Sequence, residues 1–317
     1  MKNILLFIVV LMGLNAGNIE YQDYFGKHSL KQTPKRVIYL STHLEVPAML
    51  GIWDRVVGIS GYGFKDDVIQ ATAPLKQLER FPSDHYAGIN IERLKKMNVD
   101  FVVTYPADLK SIEFAKRFGI DFLALRTQSI DGLLNDLKIQ ADIFGVQKVA
   151  YPRIQAIQKA LDEIHSYVLK SKNRPKVMEV FYKPNQISGK KSMDSDILRF
   201  AGVENLGEHY ISQGRSEVNL ENIIKENPEI IFIWWLSPLS VDDLLKDKHL
   251  SLVNAIKNKQ VYKLPPIDIA SPRTPLIALF IAMKSHPEVF SDFNLKGFLT
   301  QYYRDVFGID PIFSGFF

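Results

Sequence analysis

The chain has 317 residues, with 39 lysines and arginines, 35 aspartates and glutamates, and no cysteine. Its hydrophobic content of 46% and charged content of 23% are those of a folded protein and exclude a disordered or collagen-like chain. The net charge of +4 is too small to indicate nucleic-acid binding, and the lack of cysteine excludes disulfides, thiolate metal sites and cysteine nucleophiles.

The first 16 residues have the layout of a secretory signal peptide. A short basic start (MKN) precedes an unbroken apolar run over residues 4–14 and then the sequence NAG. That run is shorter than the roughly 20 residues that a membrane-spanning helix needs. We therefore expect cleavage after Ala16 and, because no cysteine can carry a lipid anchor, a mature protein in the periplasm of a Gram-negative cell.

Strand and helix patterns alternate through the first half of the mature chain. Residues 36–40 (RVIYL), 56–59 (VVGI) and 101–104 (FVVT) are short apolar runs rich in β-branched residues, which predict strands. A helix that ends at Leu50-Gly51 follows the first of them. Strands that alternate with helices indicate parallel sheets covered by helices.

A helical stretch without strand signals follows. Apolar residues at positions 150, 154, 157, 161, 164 and 168 alternate in spacing between four and three, which is one continuous helical stripe. Pro152 lies near the start of the stripe, where a first-turn proline is tolerated. A helix from Pro152 to Lys170 is about 28 Å long, enough to run across two lobes as a stiff connection.

The second half returns to alternating elements. Residues 177–181 and 230–233 predict strands, and a helix ends at Ala201-Gly202. The apolar run over residues 276–283 is stopped by His286-Pro287, so it predicts a buried helix and not a membrane span.

Two segments, one from each half, align without a gap. They are INIERLKKMNVDFVVTY (residues 89–105) and VNLENIIKENPEIIFIW (residues 218–234). Four polar positions match: Asn90 with Asn219, Glu92 with Glu221, Asn98 with Asn227 and Asp100 with Glu229. Each segment predicts a short helix, a turn and a strand.

The predicted fold is therefore α/β, with two parallel-sheet α/β lobes of related topology, one long rigid connecting helix, and a ligand cleft between the lobes. We assign residues 1–16 to the signal peptide, 17–145 to the N-terminal lobe, 146–171 to the connecting helix and 172–317 to the C-terminal lobe.

Candidate ligand-binding residues follow the predicted strands, because ligands of parallel α/β sheets bind outside the carboxyl ends of the strands. Aromatic rings with a few convergent polar groups are typical of a small-molecule pocket. The candidates in the first lobe are Thr42, His43, Tyr62, Phe64 and Tyr105. Those in the second lobe are Tyr182, Lys183, Trp234 and Trp235, and three arginines in loops, Arg126, Arg215 and Arg273, are expected to face the same space.

Motifs that would indicate an enzyme are incomplete. Gly61-Tyr62-Gly63 lacks the third glycine of a dinucleotide-binding turn, and Pro184 stands where a phosphate-binding loop ending at Lys190-Lys191-Ser192 needs its first glycine. No nucleophile elbow or HExxH motif occurs, and the seven histidines are scattered. We therefore predict a non-enzymatic protein without a resident cofactor.

The chain resembles the class III substrate-binding proteins of ABC importers. The resemblance rests on five segments that occur in the family's order: PKRVIYLSTHLEVPAMLGIWDRVVGIS, INIERLKKMNVDFVVTY, SGKKSMDSDILRFAGVENLG, VNLENIIKENPEIIFIW and SPRTPLIALFIAMKSHPEVF. It covers nearly all of the mature chain. The resemblance implies two α/β lobes joined by a long helix, a shallow cleft and little closure on ligand binding.

Two features of the family transfer to residues of this chain. Glu92 and Glu221 match the paired glutamates, one on each lobe, that dock onto arginines of the membrane permease. A glutamate at a helix N-terminus also has a structural advantage of about 0.3–1 kcal/mol. The family's ligand-contacting loops correspond to Thr42-His43, residues 61–64, Tyr105, Tyr182, Trp234 and the loop from Asp268 to Arg273.

The favoured ligand is an iron chelate, above all a ferric siderophore. Such complexes are large and anionic, so Arg126, Arg215, Arg273 and Lys183 are expected to neutralise them, and Tyr62, Tyr105 and Trp234 to contact their flat faces. His43 or Tyr62 is expected to complete the coordination of the metal if the chelator leaves a position open. Haem, cobalamin, a nickel or cobalt chelate and an oxyanion such as molybdate remain open as alternatives. We expect a monomer that delivers its ligand to a permease.

Overall fold

The computed structural model describes residues 18–82, 90–106 and 109–312. The predicted signal peptide lies outside these residues. Within the described ranges, no helix is both long enough and apolar enough to cross a membrane.

An antiparallel hairpin of β1 (Ile19–Asp23) and β2 (Gly26–Leu30) precedes the first sheet. The Tyr21 hydroxyl donates a hydrogen bond to the carbonyl oxygen of Phe122 at 2.7 Å, and an Asp23 carboxylate oxygen accepts one from the amide of Ala124 at 2.9 Å. These two bonds fasten the hairpin to the edge of the first lobe.

The first sheet is entirely parallel and has the strand order β5-β4-β3-β6-β7. Its strands are β3 (Val37–Leu40), β4 (Val56–Ser60), β5 (Glu79–Phe81), β6 (Phe101–Thr104) and β7 (Asp121–Ala124). Its helices are α1 (Val46–Leu50), α2 (Asp67–Thr72), α3 (Ile91–Lys96), α4 (Leu109–Lys116) and α5 (Ile130–Ile143). Because the central strands are covered on both faces, their residues are almost all buried.

The second sheet has the order β11-β9-β8-β12-β13, and β10 also pairs with β8. Its strands are β8 (Lys176–Val180), β9 (Gln186–Ser188), β10 (Glu204–Asn205), β11 (Arg215–Glu217), β12 (Ile230–Ile233) and β13 (Val261–Lys263). The predicted strands β8 and β12 are parallel neighbours, whereas β9 and β11 pair antiparallel. The chain between β8 and β9 is too short for a parallel crossover, so this edge of the sheet is mixed.

The helices of the second half are α7 (Met193–Phe200), α8 (Leu220–Glu226), α9 (Val241–Leu245), α10 (Asn254–Lys257), α11 (Thr274–Ser285) and α12 (Leu295–Phe307). The predicted buried helix over residues 276–283 is part of α11, in which nearly every residue is buried. The α/β fold with two lobes is therefore confirmed.

The long helix α6 (Gln147–Val168) lies between the two sheets in the chain and has 22 residues, or a length of about 33 Å. All six residues of the predicted apolar stripe are buried, and the helix packs against α5, α11 and α12. The position of Pro152 differs from the prediction. Because α6 begins at Gln147, Pro152 lies in the second turn, where its missing N–H removes a helix hydrogen bond. The division into lobes at residues 145 and 172 remains a prediction.

The matched polar residues of the two aligned segments have matching structural roles. Asn90 and Asn219 cap the N-termini of α3 and α8 by accepting a backbone hydrogen bond. Asn98 and Asn227 both adopt left-handed backbone, with φ of 53° and 54°. Carboxylate oxygens of Asp100 and Glu229 accept hydrogen bonds from backbone amides that lead into β3 and β8, at 2.9 Å in each case. The two halves therefore share one helix–turn–strand unit.

Candidate ligand-binding cleft

A cavity of about 730 Å³ lies where the carboxyl ends of strands from both sheets meet. Ser41, Tyr105 and Leu125 line it and directly follow β3, β6 and β7, and Trp234 directly follows β12. We call this cavity the cleft. Its place agrees with the strand-end rule from which the candidate residues were predicted.

The cleft has aromatic walls. Tyr62, Tyr105, Tyr182, Trp234 and Trp235 all line it. Trp234 is the centre of one cluster, with its ring centroid 5.4 Å from that of Tyr182 in an edge-to-face arrangement and 6.5 Å from that of Trp235. Aromatic walls of this kind offer flat contact surface to an organic ligand or chelator.

Three cationic and two anionic side chains also line the cleft: Arg126, Lys191, Arg215, Asp194 and Asp268. Arg126 is half-buried and has no ion-pair partner among the described residues, while its guanidinium lies 5.9 Å from the ring centroid of Tyr24. Lys191 is exposed. The lining therefore carries one net positive charge.

Arg215 is held from two directions. Its Nη2 lies 3.0 Å from Oδ1 of Asp194, and its Nε lies 3.4 Å from Oδ2 of the same carboxylate. Its guanidinium carbon is 3.8 Å from the ring centroid of Phe181 and 5.0 Å from that of Trp234. The ion pair and the cation–π contacts fix this guanidinium in the wall of the cleft.

A second carboxyl group, that of Glu179 on β8, lies under this wall. The residue is 2% exposed, and its Oε1 has no hydrogen-bond partner in the described part of the chain. Burial and the nearby Asp194 carboxylate raise the pKa of Glu179 well above its usual value, although Arg215 acts in the opposite direction. Burial therefore favours the uncharged form of the Glu179 carboxyl group.

Hydrogen bonds tie the two lobes together beside the cleft. The Tyr62 hydroxyl, from the first lobe, donates to Oδ2 of Asp268 in the second at 3.0 Å. Gln128 donates from Nε2 to the carbonyl oxygen of Lys191 at 2.8 Å, and the amide of Ile130 donates to an Asp196 carboxylate oxygen at 2.7 Å. The walls of the cleft are thus connected directly as well as through α6.

The structure brings most of the predicted site residues together. Thr42, Tyr62, Tyr105, Tyr182, Arg215, Trp234, Trp235 and Asp268 line the cleft, as does Arg126. Four predicted residues do not line it: His43, Phe64, Lys183 and Arg273. The binding role of each lining residue stays a prediction.

His43 points into the protein and not into the cleft. It is fully buried, its backbone is left-handed with φ of 57°, and both ring nitrogens have partners. Nε2 lies 2.9 Å from Oγ1 of Thr127, and Nδ1 lies 3.2 Å from Nε2 of Gln140. Burial lowers the pKa of His43 to about 3. The structure therefore does not bring His43 to the cleft, where it was expected to complete the coordination of a ligand's metal.

Arg273 is also buried, with no exposed side-chain surface. Its guanidinium pairs with Glu45 at 2.8 Å and with Asp66 and Asp67 at 2.6 Å each. The prediction that it faces the ligand is wrong, because three carboxylates of the first lobe already bind it.

Lys183 and Phe64 are engaged outside the cleft. Lys183 is 60% exposed and forms an ion pair of 2.5 Å with Glu217. The ring of Phe64 lies under the Arg80 guanidinium, whose carbon is 4.3 Å from the ring centroid. Both residues lie next in sequence to loops of the cleft, as predicted, but neither side chain lines it.

Several lining residues were not predicted. Thr127 and Gln128 come soon after β7, so applying the strand-end rule to that strand would have found them. Asp194 and Lys191 lie just before or within the first turn of α7. Asp194 carries no pattern of its own in the sequence, since its partner Arg215 lies 21 positions away.

A second cavity of about 540 Å³ lies beside the start of α8. It is lined by residues 210–213 and 215–219 and by Asn222. Among the described residues, Arg215 alone lines both this cavity and the cleft. No group of three or more His, Cys, Asp and Glu side chains in the described ranges is arranged to hold a metal ion.

Comparison with known proteins identifies relatives for nearly the whole chain. Residues 37–267 match the model of the family described as periplasmic binding protein. Helicobacter pylori CeuE, solved as its Ni-His complex, is 44% identical with a TM-score of 0.87, and the alignment covers 93% of this chain and 97% of that one. The vitamin B12-binding protein of Vibrio campbellii is 26% identical over 211 residues, 62% of this chain and 70% of its own length.

Molybdate-bound MolA of Haemophilus influenzae has the same fold at lower identity. It is 18% identical with a TM-score of 0.77, over 92% of this chain and 99% of that one.

Proposed function

Because this chain belongs to the periplasmic binding protein family, we propose that it captures a metal chelate in the cleft and delivers it to the permease of an ABC importer. Its relatives are substrate-binding proteins of ABC transporters and not enzymes. The observation that carries the proposal is the lining of the cleft, which combines five aromatic rings with the Arg126 guanidinium. Aromatic rings contact the organic part of a chelate, and a guanidinium pairs with its anionic oxygens.

A nickel(II)–histidine chelate is the first candidate ligand. The 44% identical CeuE was solved with Ni-His, and the alignment covers 97% of that protein. The carboxylates of such a chelate suit Arg126, and its imidazole rings suit the faces of Tyr105 and Trp234.

A ferric siderophore, which the sequence favoured, is the second candidate. The cavity volume of about 730 Å³ supports it, because a cleft of this size can receive a drug-sized ligand. Fewer basic side chains line the cleft than predicted, since Arg273 and Lys183 form ion pairs outside it. Haem, cobalamin, a cobalt chelate and molybdate are the other candidate ligands.

Ligand titrations followed by tryptophan fluorescence test the proposal. Untagged protein without residues 1–16 is titrated with Ni²⁺ alone, histidine alone, Ni²⁺ with two equivalents of histidine, a ferric tris-catecholate, haemin, cyanocobalamin and molybdate. We expect saturable quenching by the nickel–histidine mixture and much weaker responses to either component. A response only to the ferric complex would select the siderophore. Failure of every metal chelate would overturn the proposal.

Export and docking complete the proposed function. We propose that residues 1–16 direct the chain to the periplasm and are then removed. We also propose that the permease docks on Glu92 and Glu221, which lie exposed in the first turns of α3 and α8. The equivalent positions of these two helices in the aligned segments support this assignment. That the protein acts as a monomer stays a prediction.

A further inference from the structure

The charged side chains of the cleft are not equivalent. Arg126 and Lys191 have no carboxylate partner among the described residues, whereas Arg215 has a close one in Asp194. The Arg215 side chain is 29% exposed and the Asp194 side chain 4% exposed, so this pair lies mostly out of water. A charge-assisted bond between such groups is strong, and the Asp194 carboxylate cancels much of the field of Arg215 inside the cleft.

The geometry leaves Arg215 little room to bind a ligand. Asp194 takes the edge of the guanidinium formed by Nε and Nη2. Phe181 and Trp234 lie against it, at 3.8 Å and 5.0 Å from the guanidinium carbon. Of the three guanidinium nitrogens, only Nη1 takes no part in the ion pair with Asp194. A carboxylate of the ligand can therefore pair with Arg126 but not, in the same bidentate way, with Arg215.

We propose that Asp194 determines ligand specificity by limiting the negative charge of the chelate that the cleft accepts. The inference rests on the proposed function, since it concerns the same cleft. With Asp194 paired to Arg215, the cleft accepts neutral or weakly anionic chelates and disfavours polyanionic ones. Nickel–histidine belongs to the first group and a ferric tris-catecholate to the second.

Glu179 matters for any test of this role. Its carboxyl group is buried beside Asp194 and Arg215, and the Asp194 carboxylate helps to keep it uncharged. Replacing Asp194 alone removes one cause of the raised pKa of Glu179 and leaves a second carboxyl group beside Arg215. The single variant Asp194→Asn therefore has a smaller effect than the double variant Asp194→Asn/Glu179→Gln.

The experiment compares three nickel chelates of increasing charge. They are nickel–bis-histidine, which is neutral, nickel–nitrilotriacetate, which is singly negative, and nickel–EDTA, which is doubly negative. Each is titrated by calorimetry into untagged wild-type protein and the double variant at neutral pH and low salt. We expect the double variant to gain about tenfold in affinity for each negative charge on the chelate, and to change less than about threefold for the neutral one. Comparing two proteins for each chelate cancels the differences in chelate shape.

Three further variants serve as controls. Glu179→Gln alone should change the affinities little, because burial already favours the uncharged form of this carboxyl group and glutamine is an uncharged residue of similar shape. Glu217→Gln removes an exposed carboxylate from the same strand as Arg215 and should change the affinities less than about twofold. Arg126→Gln should have the opposite effect and weaken the anionic chelates most. Circular dichroism and thermal unfolding establish that each variant is folded.

The outcomes separate this inference from the proposed function. If the wild type binds none of the chelates named here or above, the proposed function fails and this inference with it. If the wild type binds the doubly negative chelate as tightly as the neutral one, or if the double variant changes all three affinities by the same factor, only the role of Asp194 is overturned. If the double variant does not fold, the single variant Asp194→Asn is titrated with the same three chelates, and equal factors for all three overturn the role of Asp194.

Discussion

Arg273 and Glu45 are 228 positions apart in the sequence and form a bidentate ion pair in the interior of the protein. The two contacts, Nε to Oε2 and Nη2 to Oε1, measure 3.0 Å and 2.8 Å. Arg273 comes from the segment before α11 and Glu45 from the residue before α1, so the pair joins the two halves of the chain. Asp66 and Asp67 add two more carboxylates on the same guanidinium.

The variant Arg273→Gln should strongly destabilise the protein. Removing one partner of a buried ion pair leaves the other charges without compensation, which costs about 3–5 kcal/mol of unfolding free energy. Urea unfolding followed by far-UV circular dichroism measures this. Arg304→Gln is the matched control, since Arg304 is 62% exposed and its ion pair with Asp310 contributes about 0–1 kcal/mol. A loss of less than about 1 kcal/mol in Arg273→Gln would contradict the structural role of the cluster.

The buried His43 should make the protein sensitive to acid. Burial lowers its pKa from 6.5 to about 3, so between these values the unfolded chain binds a proton that the folded protein does not. Stability therefore falls as the pH falls from 6.5 towards 3. His43→Asn suits the left-handed backbone at this position and removes the titrating ring.

The measurement is the difference in unfolding free energy between wild type and His43→Asn at pH 7, 5.5 and 4. The hydrogen bonds of the His43 ring are lost in His43→Asn, and this changes the unfolding free energy by the same amount at every pH. The titration of His43 in the wild type makes the difference between the two proteins shrink or change sign at low pH. Asp136, whose pKa burial raises to about 6, acts in the opposite direction in both proteins. A difference that is the same at all three pH values would show that His43 does not titrate as expected.

Quenching by a bound chelate should come from the cleft tryptophans. Trp234 and Trp235 line the cleft, whereas Trp53 is placed elsewhere and donates a hydrogen bond from Nε1 to Thr72 at 3.1 Å. The double variant Trp234→Phe/Trp235→Phe should lose most of the quenching on ligand addition, and Trp53→Phe should retain it. Fluorescence titration with the nickel–histidine mixture checks both. Equal quenching in the two variants would place the ligand outside the cleft.

Charge reversal at the proposed docking residues should abolish transport without affecting ligand binding. Glu92→Arg/Glu221→Arg is expected to bind the chelate with wild-type affinity, because neither residue lines the cleft, but to fail in uptake when expressed with its permease. Glu163→Arg on α6 is the control, since Glu163 is also exposed on a helix. Unchanged uptake by the double variant would argue against docking through these glutamates.

Local pattern accounts for much of the fold. The bounds of β6 and β12 were predicted to the residue, because each is a run of four buried residues, Phe-Val-Val-Thr and Ile-Ile-Phe-Ile, that begins directly after an acidic residue. The stripe of α6 was equally clear from its spacing. The antiparallel strand β9 was missed because its three residues, Gln-Ile-Ser, have no strand pattern and pair only through tertiary context.

The cleft was harder to predict, since position after a strand does not fix the direction of a side chain. His43 is adjacent to the lining residue Thr42, but the left-handed backbone at His43 turns its ring inward, and histidine gives little sign of such a conformation in a sequence. Arg273 looked like a loop cation because its carboxylate partners are more than 200 positions away. Asp194 was not predicted either, because its role depends on contact with Arg215, which lies 21 positions further on in the sequence.

Arg215 also belongs to the lining of two cavities. Among the described residues it alone lines both the cleft and the cavity beside α8. A single substitution at this position therefore changes the lining of both cavities at once.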